Sequence, residues 1–394
     1  MAKTKVAIVK SPPQPGEKEI EATVRKAIEL SGGLGGIVKR GDSVIIKPNV
    51  VGPRPEGHPA VTDWRVCKAI ANMVKEVGAR PIIGEASPVG IKTEDCFQPS
   101  GYAKLRSQGY EVMDLKAEGL EMVKVPIPKG RNMKEITLPR IVLESVIIDV
   151  PKMKTHDQPL VTLAIKNMKG VMPDVFKRKF HTTFGIFQGC ADLALAVKPK
   201  LAVVDGIIAM EGLGPIFGDP VEMDLIIAGR DMVAVDAVTC SVMGIEPKED
   251  GCVRVAAECG IGVADLRKIE VVGEPIAKVK RRFKRSVEAI SERVPFPEGF
   301  RLLFSDKVCT GCRNCVMSVL LDLQDTHLLE KAKGWTVIAG KPDKIPTDVS
   351  KERLLLVGVC TARYKDRGVY VEGCTPNNRD IASALVGEEQ KPNW

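Results

Sequence analysis

Short runs of valine and isoleucine return along this chain with helical patterns between them, and that alternation limits the folds open to it. VAIVK at 6–10 leads to IEATVRKAIELSG at 20–32, and SVIIKPN at 43–49 leads to WRVCKAIANMVKEVGA at 64–79. In the second helical stretch Val66, Ile70, Met73, Val74 and Val77 fall near the helical period. Further strands are predicted for PIIGEAS (81–87), SVIIDVPK (145–152), LAVVDGIIA (201–209), DLIIAGR (224–230) and IEVVGE (269–274). Continuous β-branched runs without polar alternation belong in strands covered on both faces. The expected fold class is therefore α/β, a mostly parallel sheet flanked by helices.

At 394 residues the chain is too long for one ordinary core. The texture changes at 276–300, where IAKVKRRFKRSVEAISERVPFPEG is basic and then helical. The reading is an α/β domain at 1–275, a basic linker helix at 276–300 and a smaller α/β iron–sulfur domain at 301–394. In that last unit a helix runs from the cysteines to about Lys333, with strands at 335–340, 354–360 and 369–374. The linker's charge run is read first as a solvated face. A net charge of +8 permits an anionic substrate or an acidic redox partner, and aromatic content of 4% argues against base stacking and nucleic acid. No apolar run approaches the ~18–20 residues that cross a bilayer, and the first residues lack a signal-peptide core. A cytoplasmic protein without a membrane span is expected; a homo-oligomer is left open.

KVCTGCRNCV, at 307–316, carries the sharpest chemistry. Cys309, Cys312 and Cys315 are spaced so that one loop can wrap three corners of an iron–sulfur cube. Zinc sites usually show two separated pairs, which are missing here. The ferredoxin run would place a fourth cysteine at Val319, so the last ligand must come from elsewhere. Cys374 is preferred, because Thr375-Pro376 makes a turn that presents it. Cys360 is the other candidate, as ligand, nucleophile or neighbouring thiol. The expected cofactor is a [4Fe-4S] cluster, with [3Fe-4S] as the alternative. Cys67, Cys96, Cys190, Cys240, Cys252 and Cys259 lack metal spacing and read as small buried hydrophobes.

Three further stretches carry polar groups where an α/β sheet binds ligands. In VIIKPNVVGPRPEGHPAVTD, Lys47 can hold a carboxylate or phosphate and Asn49 can hydrogen-bond it; His58 follows in the loop. In SVIIDVPKMKTHDQPLVTLAIKNMKGVMP, Lys152, Lys154 and His156 alternate onto one face of an extended segment. A helix starting near Pro159 would then align Thr162, Lys166 and Lys169, with Asn167 beside them. Clustered cations depress lysine pKa, which suits Lys154, His156 and Lys166 to catalysis and Lys152, Asn167 and Lys169 to substrate binding. His181 is a further, weaker candidate. In VVDGIIAMEGLGPIFGDPVEMDLIIAG, Asp205 and Glu211 border a glycine-rich loop that reads as a wall or lid rather than a phosphate loop.

VIIKPNVV, KMKTHDQPLVTLAIKNMKGVMP and VVDGIIAMEG…GDPVEMDLIIAGRDMVAVDAV together resemble the domain of unknown function 362, over roughly residues 40–250. The resemblance implies an iron–sulfur segment, which several members carry, and no particular reaction. The cysteine run followed by strand-ending cysteines is also similar to cluster-binding subunits of hydrogenases and complex I. That second resemblance implies Cys360 and Cys374 as ligands together. The leading expectation is a redox enzyme taking electrons from a ferredoxin-like donor to a small anionic substrate. The alternatives are a lyase, dehydratase or isomerase using an open cluster iron as Lewis acid, and a sensor or delivery protein for a cluster or metal.

Overall fold

The computed structural model describes residues 3–181, 183–294, 296–304 and 310–387. Its main sheet is built from β1 (Thr4–Lys10), β2 (Ser43–Lys47), β3 (Arg80–Glu85) and β4 (Glu111–Asp114), a side hairpin of β5 (Met122–Pro126) and β6 (Glu135–Pro139) standing apart. It continues with β7 (Val146–Asp149), β8 (Lys152–Thr155), β9 (Val161–Thr162), β10 (Leu201–Glu211), β11 (Asp219–Gly229) and β12 (Ile269–Gly273). The strand order is β12-β1-β11-β10-β7-β2-β3-β4, with β8 pairing β10 and β9 pairing β8. Only β11 and β9 run against the rest, so the sheet is mostly parallel, as the β-branched runs require.

Adjacent residues of the central strands enter different cores. Ile45, Ile82 and Ile147 join the helices Ile186–Ala196, Met232–Val242 and Gly251–Glu258 on one face. Val44, Ile46, Ile83 and Ile148 join Glu17–Leu30 and Trp64–Glu76 on the other. Each buried Ile or Val stabilises the sheet by about 1.5–3 kcal/mol relative to exposure. The sheet is thereby covered on both sides, and its strand ends are the places left for chemistry.

A second, smaller parallel sheet follows: β13 (Arg301–Phe304), β14 (Thr336–Ala339), β15 (Leu354–Val357) and β16 (Val369–Val371) in consecutive order. Helices Thr310–Asp325 and Asn378–Val386 cover one face through Val316, Leu320, Leu323, Ile381 and Leu385. Ile338, Leu354 and Leu356 pack with Tyr364 and Tyr370 on the other. Between the sheets, 276–300 holds two short helices, Ile276–Val279 and Ser286–Arg293. Four of its basic residues are answered by acids: Arg281 by Glu211, Arg282 by Glu288, Lys284 by Glu292 and Arg285 by Glu249.

Several boundaries differ from the sequence expectation. SVIIDVPK is two strands, because after Val150-Pro151 the chain steps along β10 and pairs Lys152 with Asp205. No helix starts near Pro159: Val161 and Thr162 pair with Thr155 and Lys154 instead. The helix Ala164–Asn167 starts later because Asp236, from a distant helix, accepts the Ala164 and Ile165 N–H groups at 2.8 and 2.9 Å. A carboxylate supplied from afar caps that turn and leaves no local signature. The cysteine-bearing helix ends at Asp325 rather than Lys333, just ahead of His327 at φ 59°.

Candidate functional site

Three parallel strands end in charged residues side by side: Lys47 closes β2, Glu85 closes β3 and Asp149 closes β7. Lys47 Nζ donates to Glu85 Oε2 at 2.8 Å and to the Pro48 carbonyl. Glu85 also accepts the Val50 and Ala86 N–H groups at 2.9 and 2.8 Å. Asn167 Nδ2 donates to Asp149 Oδ1 at 2.7 Å, and its Oδ1 accepts from Asn49 Nδ2 at 2.8 Å. Gly170 lies directly over the pair; a Cβ there would collide with the Glu85 carboxylate and the Lys47 amine. The glycine of KNMKG is fixed by that closeness. Burial pushes the Asp149 carboxyl up to about 8, against the pull of Lys47, and its Oδ2 has no hydrogen-bond partner.

Along β8 the alternation read from sequence holds. Lys152 Nζ reaches Asp205 Oδ2 at 2.7 Å, and Asp205 also accepts the Asp63 and Ile207 N–H groups. Lys154 Nζ faces three neutral oxygens: Asn49 Oδ1 at 2.7 Å, Ala60 O at 2.8 Å and Pro215 O at 3.1 Å. Three acceptors match the three protons of an ammonium group. Burial, then Lys166 and Lys152, push the other way and hold the amine well below the ordinary lysine range. The glycine-rich loop is the β10–β11 connection, and through Pro215 it walls this amine.

Lys166 is half-buried and makes no hydrogen bond or ion pair among the described residues. It nevertheless acts on Lys154, His156, Lys169 and His181 through space. Burial brings the His156 imidazole down to about 4, against the attraction of Asp157. Its Nδ1 receives the Gln158 N–H at 3.0 Å and lies 2.7 Å from Asp157 Oδ1. A neutral ring takes the amide proton there, and a protonated ring turns to the carboxylate. Lys169 Nζ stands 4.7 Å from the Phe180 ring centroid, its amine lowered to about 7 by burial and then by Lys166. His181 is held well below its ordinary range by burial, then Lys169 and Lys166; its Nδ1 is buried without a hydrogen-bond partner. His58 is lowered by burial and by Arg54, then Lys154. Glu211 is not brought to this crevice: it binds Arg281 and the Lys284 N–H.

The cysteine helix docks on the turn that follows His156. Asn314 Nδ2 donates to the Asp157 carbonyl at 2.7 Å, and Gln158 Nε2 donates to Cys315 Sγ at 3.4 Å. Cys315 and Cys312 are buried. The loop after β16 closes on them: Cys315 contacts Pro376 O at 3.8 Å, and a Cβ on Gly358 would lie 2.8 Å from Cys312 Sγ and 3.3 Å from Gly373 O. Cys374, half-buried in that loop, accepts the Ile186 N–H on its carbonyl at 2.7 Å. Cys360, also half-buried, acts on the Tyr370 phenol. Cys309 lies outside the described residues. Among the described residues no three His, Cys, Asp or Glu side chains stand in metal-ligand geometry.

Glu85, Asp149 and Gln158 carry the site as much as the lysines do, and sequence reasoning passed over them. The signal for the first two was present: each is an acid closing a buried apolar strand, the position that singled out Lys47. Gln158 had none, since its partner sulfur lies in the second unit.

A thylakoid-associated protein of Synechocystis sp. (strain ATCC 27184 / PCC 6803 / Kazusa) is 30% identical over 241 residues, 57% of this chain and 70% of that protein. The lactate racemase apoprotein from Thermoanaerobacterium thermosaccharolyticum aligns over 98% of this chain and 91% of its own, with 12% identity and a TM-score of 0.37. No helix among the described residues is long and apolar enough to cross a membrane. The family described as Domain of unknown function (DUF362) matches residues 44–241, from the start of the Lys47 strand to the helix after β11, and the chain belongs to that family.

Proposed function

We propose that this chain is an iron–sulfur redox enzyme that exchanges electrons with a small carboxylate or phosphate bound at the Lys154 crevice. In this reading residues 1–275 bind the anion, 276–300 link, and 301–394 hold a [4Fe-4S] cluster. One observation carries it. The backbone N–H of Gln158 binds His156 in the crevice while its side chain binds Cys315 beside the cysteine loop. A single residue thus touches both sites.

The donor set fits such a group. Cys312 Sγ lies beside Gly358 and Cys315 Sγ beside the carbonyl of Pro376, two residues after Cys374, and Gly358 carries no Cβ to obstruct the Cys312 sulfur. Thiolates are the donors that cluster iron prefers, and an N–H aimed at a ligand sulfur stabilises its charge. Cys309, Cys312, Cys315 and Cys374 would hold the cluster, with Cys360 as the competing fourth ligand. When bound, the cluster supplies single electrons. The chain's own part is binding and orientation. Lys154 and Lys166 attract the anion, His156 offers its Nε2–H to it, and burial strengthens each contact. A ferredoxin-like protein is the proposed electron donor.

Purification without oxygen, followed by iron and sulfide assay and electron paramagnetic resonance, tests the cluster. Cys374→Ser should lose the four-iron signal and Cys360→Ser should keep it; the reverse would reassign the fourth ligand. Lys154→Ala and His156→Ala should spare the cluster yet weaken binding of inorganic phosphate or a small carboxylate. Unchanged anion affinity in both variants would remove the crevice from the reading.

A further inference from the structure

We propose that Arg54 is a second anion-binding residue at the Lys154 crevice, held in place by Phe217, and that the ligand of this site is a small dicarboxylate. The inference rests on the reading of the crevice as an anion site, and it adds a residue and a ligand class to that reading.

Two loops wall the Lys154 amine, and each gives it one carbonyl: Ala60 O at 2.8 Å from 51–61, and Pro215 O at 3.1 Å from the β10–β11 connection. The same loops meet a second time through side chains. The Arg54 guanidinium carbon stands 5.4 Å from the ring centroid of Phe217, a residue 66% exposed. Local backbone bonds hold both loops in shape. Arg54 N–H donates to Gly52 O at 2.8 Å, His58 N–H to Pro55 O at 3.1 Å and Phe217 N–H to Leu213 O at 3.0 Å. Between Arg54 and the Ala60 carbonyl, His58 Nδ1 accepts the Ala60 N–H at 3.1 Å. Burial, then Arg54 and Lys154, lower the His58 imidazole, so both cations act on one side chain.

Arg25, Arg65, Arg80, Arg106 and Arg140 each bind a carboxylate. The Arg54 guanidinium makes no hydrogen bond or ion pair among the described residues, and its Nε is buried without an acceptor. Glu56, the acid of its own loop, is taken by Lys104 at 2.6 Å and by Trp64 Nε1 at 3.0 Å. Asp205 is taken by Lys152 at 2.7 Å. A buried N–H without an acceptor is costly, and a ligand carboxylate would supply one. Stacking on Phe217 occupies one face of the guanidinium and leaves its edge, where the N–H groups form a fork that matches a carboxylate. Lys154 then takes the second carboxylate. A monocarboxylate can satisfy only one of the two cations.

Isothermal titration calorimetry on the full-length protein, at fixed ionic strength, compares succinate, glutarate and adipate with butyrate, pentanoate and hexanoate. The best dicarboxylate should bind the parent at least about tenfold more tightly than the monocarboxylate of equal length. Arg54→Ala should abolish that preference and leave monocarboxylate affinity unchanged. Arg54→Lys should restore only part of it, because an ammonium lacks the fork. Phe217→Leu should weaken the dicarboxylate about two- to fivefold, Phe217→Tyr should not, and neither should alter monocarboxylate binding. Lys154→Ala should weaken both ligands. The proposal is overturned if no dicarboxylate outbinds its counterpart in the parent, or if Arg54→Ala weakens both ligands equally. Weaker binding in Lys154→Ala with none in Arg54→Ala removes Arg54 and leaves the crevice. Unchanged binding in Lys154→Ala removes the crevice reading itself, and this inference with it.

Discussion

The two ends of the crevice treat positive charge differently. At one end Lys47 faces Glu85 and Lys152 faces Asp205, each pair buried and within 2.8 Å. At the other end, among the described residues, Lys154 meets only neutral oxygens and Lys166 makes no hydrogen bond or ion pair. Burying a cation without an anion is costly, so a fold does not retain such a site for stability alone. The paired end is framework, and the unpaired end has charge left for a ligand.

Glu85→Gln should break this contrast most severely. It leaves the Lys47 ammonium buried without its carboxylate, and chemical denaturation should show a loss of about 3–5 kcal/mol. Replacing both partners, as in Lys47→Met with Glu85→Gln, should cost less than Glu85→Gln alone; a larger loss would mean that Lys47 is held by its carbonyl contacts and not by the ion pair.

Asp149→Asn probes the same end through pH. The folded carboxyl titrates at about 8 and the unfolded one near 3.8. The protonated acid therefore contributes stability that is complete below 3.8 and is lost as pH rises toward 8. Asparagine imitates the protonated form and does not titrate. Relative to the parent, the variant should gain on the order of 1 kcal/mol per pH unit across that window. A pH-independent difference would show that Asp149 is ionised in the fold.

Lys166→Ala should change least in stability, within about 0.5 kcal/mol, because no hydrogen bond or ion pair among the described residues is lost. The same variant should bind inorganic phosphate or a small carboxylate more weakly. A large destabilisation with unchanged anion affinity would make the two ends alike.

How much of this was legible follows from where each signal is stored. Val44–Ile46 and Ile147–Ile148 announce parallel strands because neighbours in sequence enter opposite cores. Lys152 and Lys154 share a direction because a strand alternates. The start of the Lys166 helix was misplaced because Asp236, its cap, is about seventy residues away in sequence. Charged residues at strand ends were half legible, since Lys47 drew attention and Glu85, its partner, did not.

The Gly212 carbonyl accepts the Thr155 hydroxyl at 3.1 Å and the Ser286 hydroxyl at 2.7 Å, while its N–H donates to Lys284 O at 2.8 Å. This glycine is therefore bolted to the strand of Lys154, to the segment that carries Lys284 and to the helix that leads into the smaller sheet. Any swing of that sheet as a lever must either tear this fastening or drag along Pro215, and with it one of the three oxygens that steady the Lys154 amine.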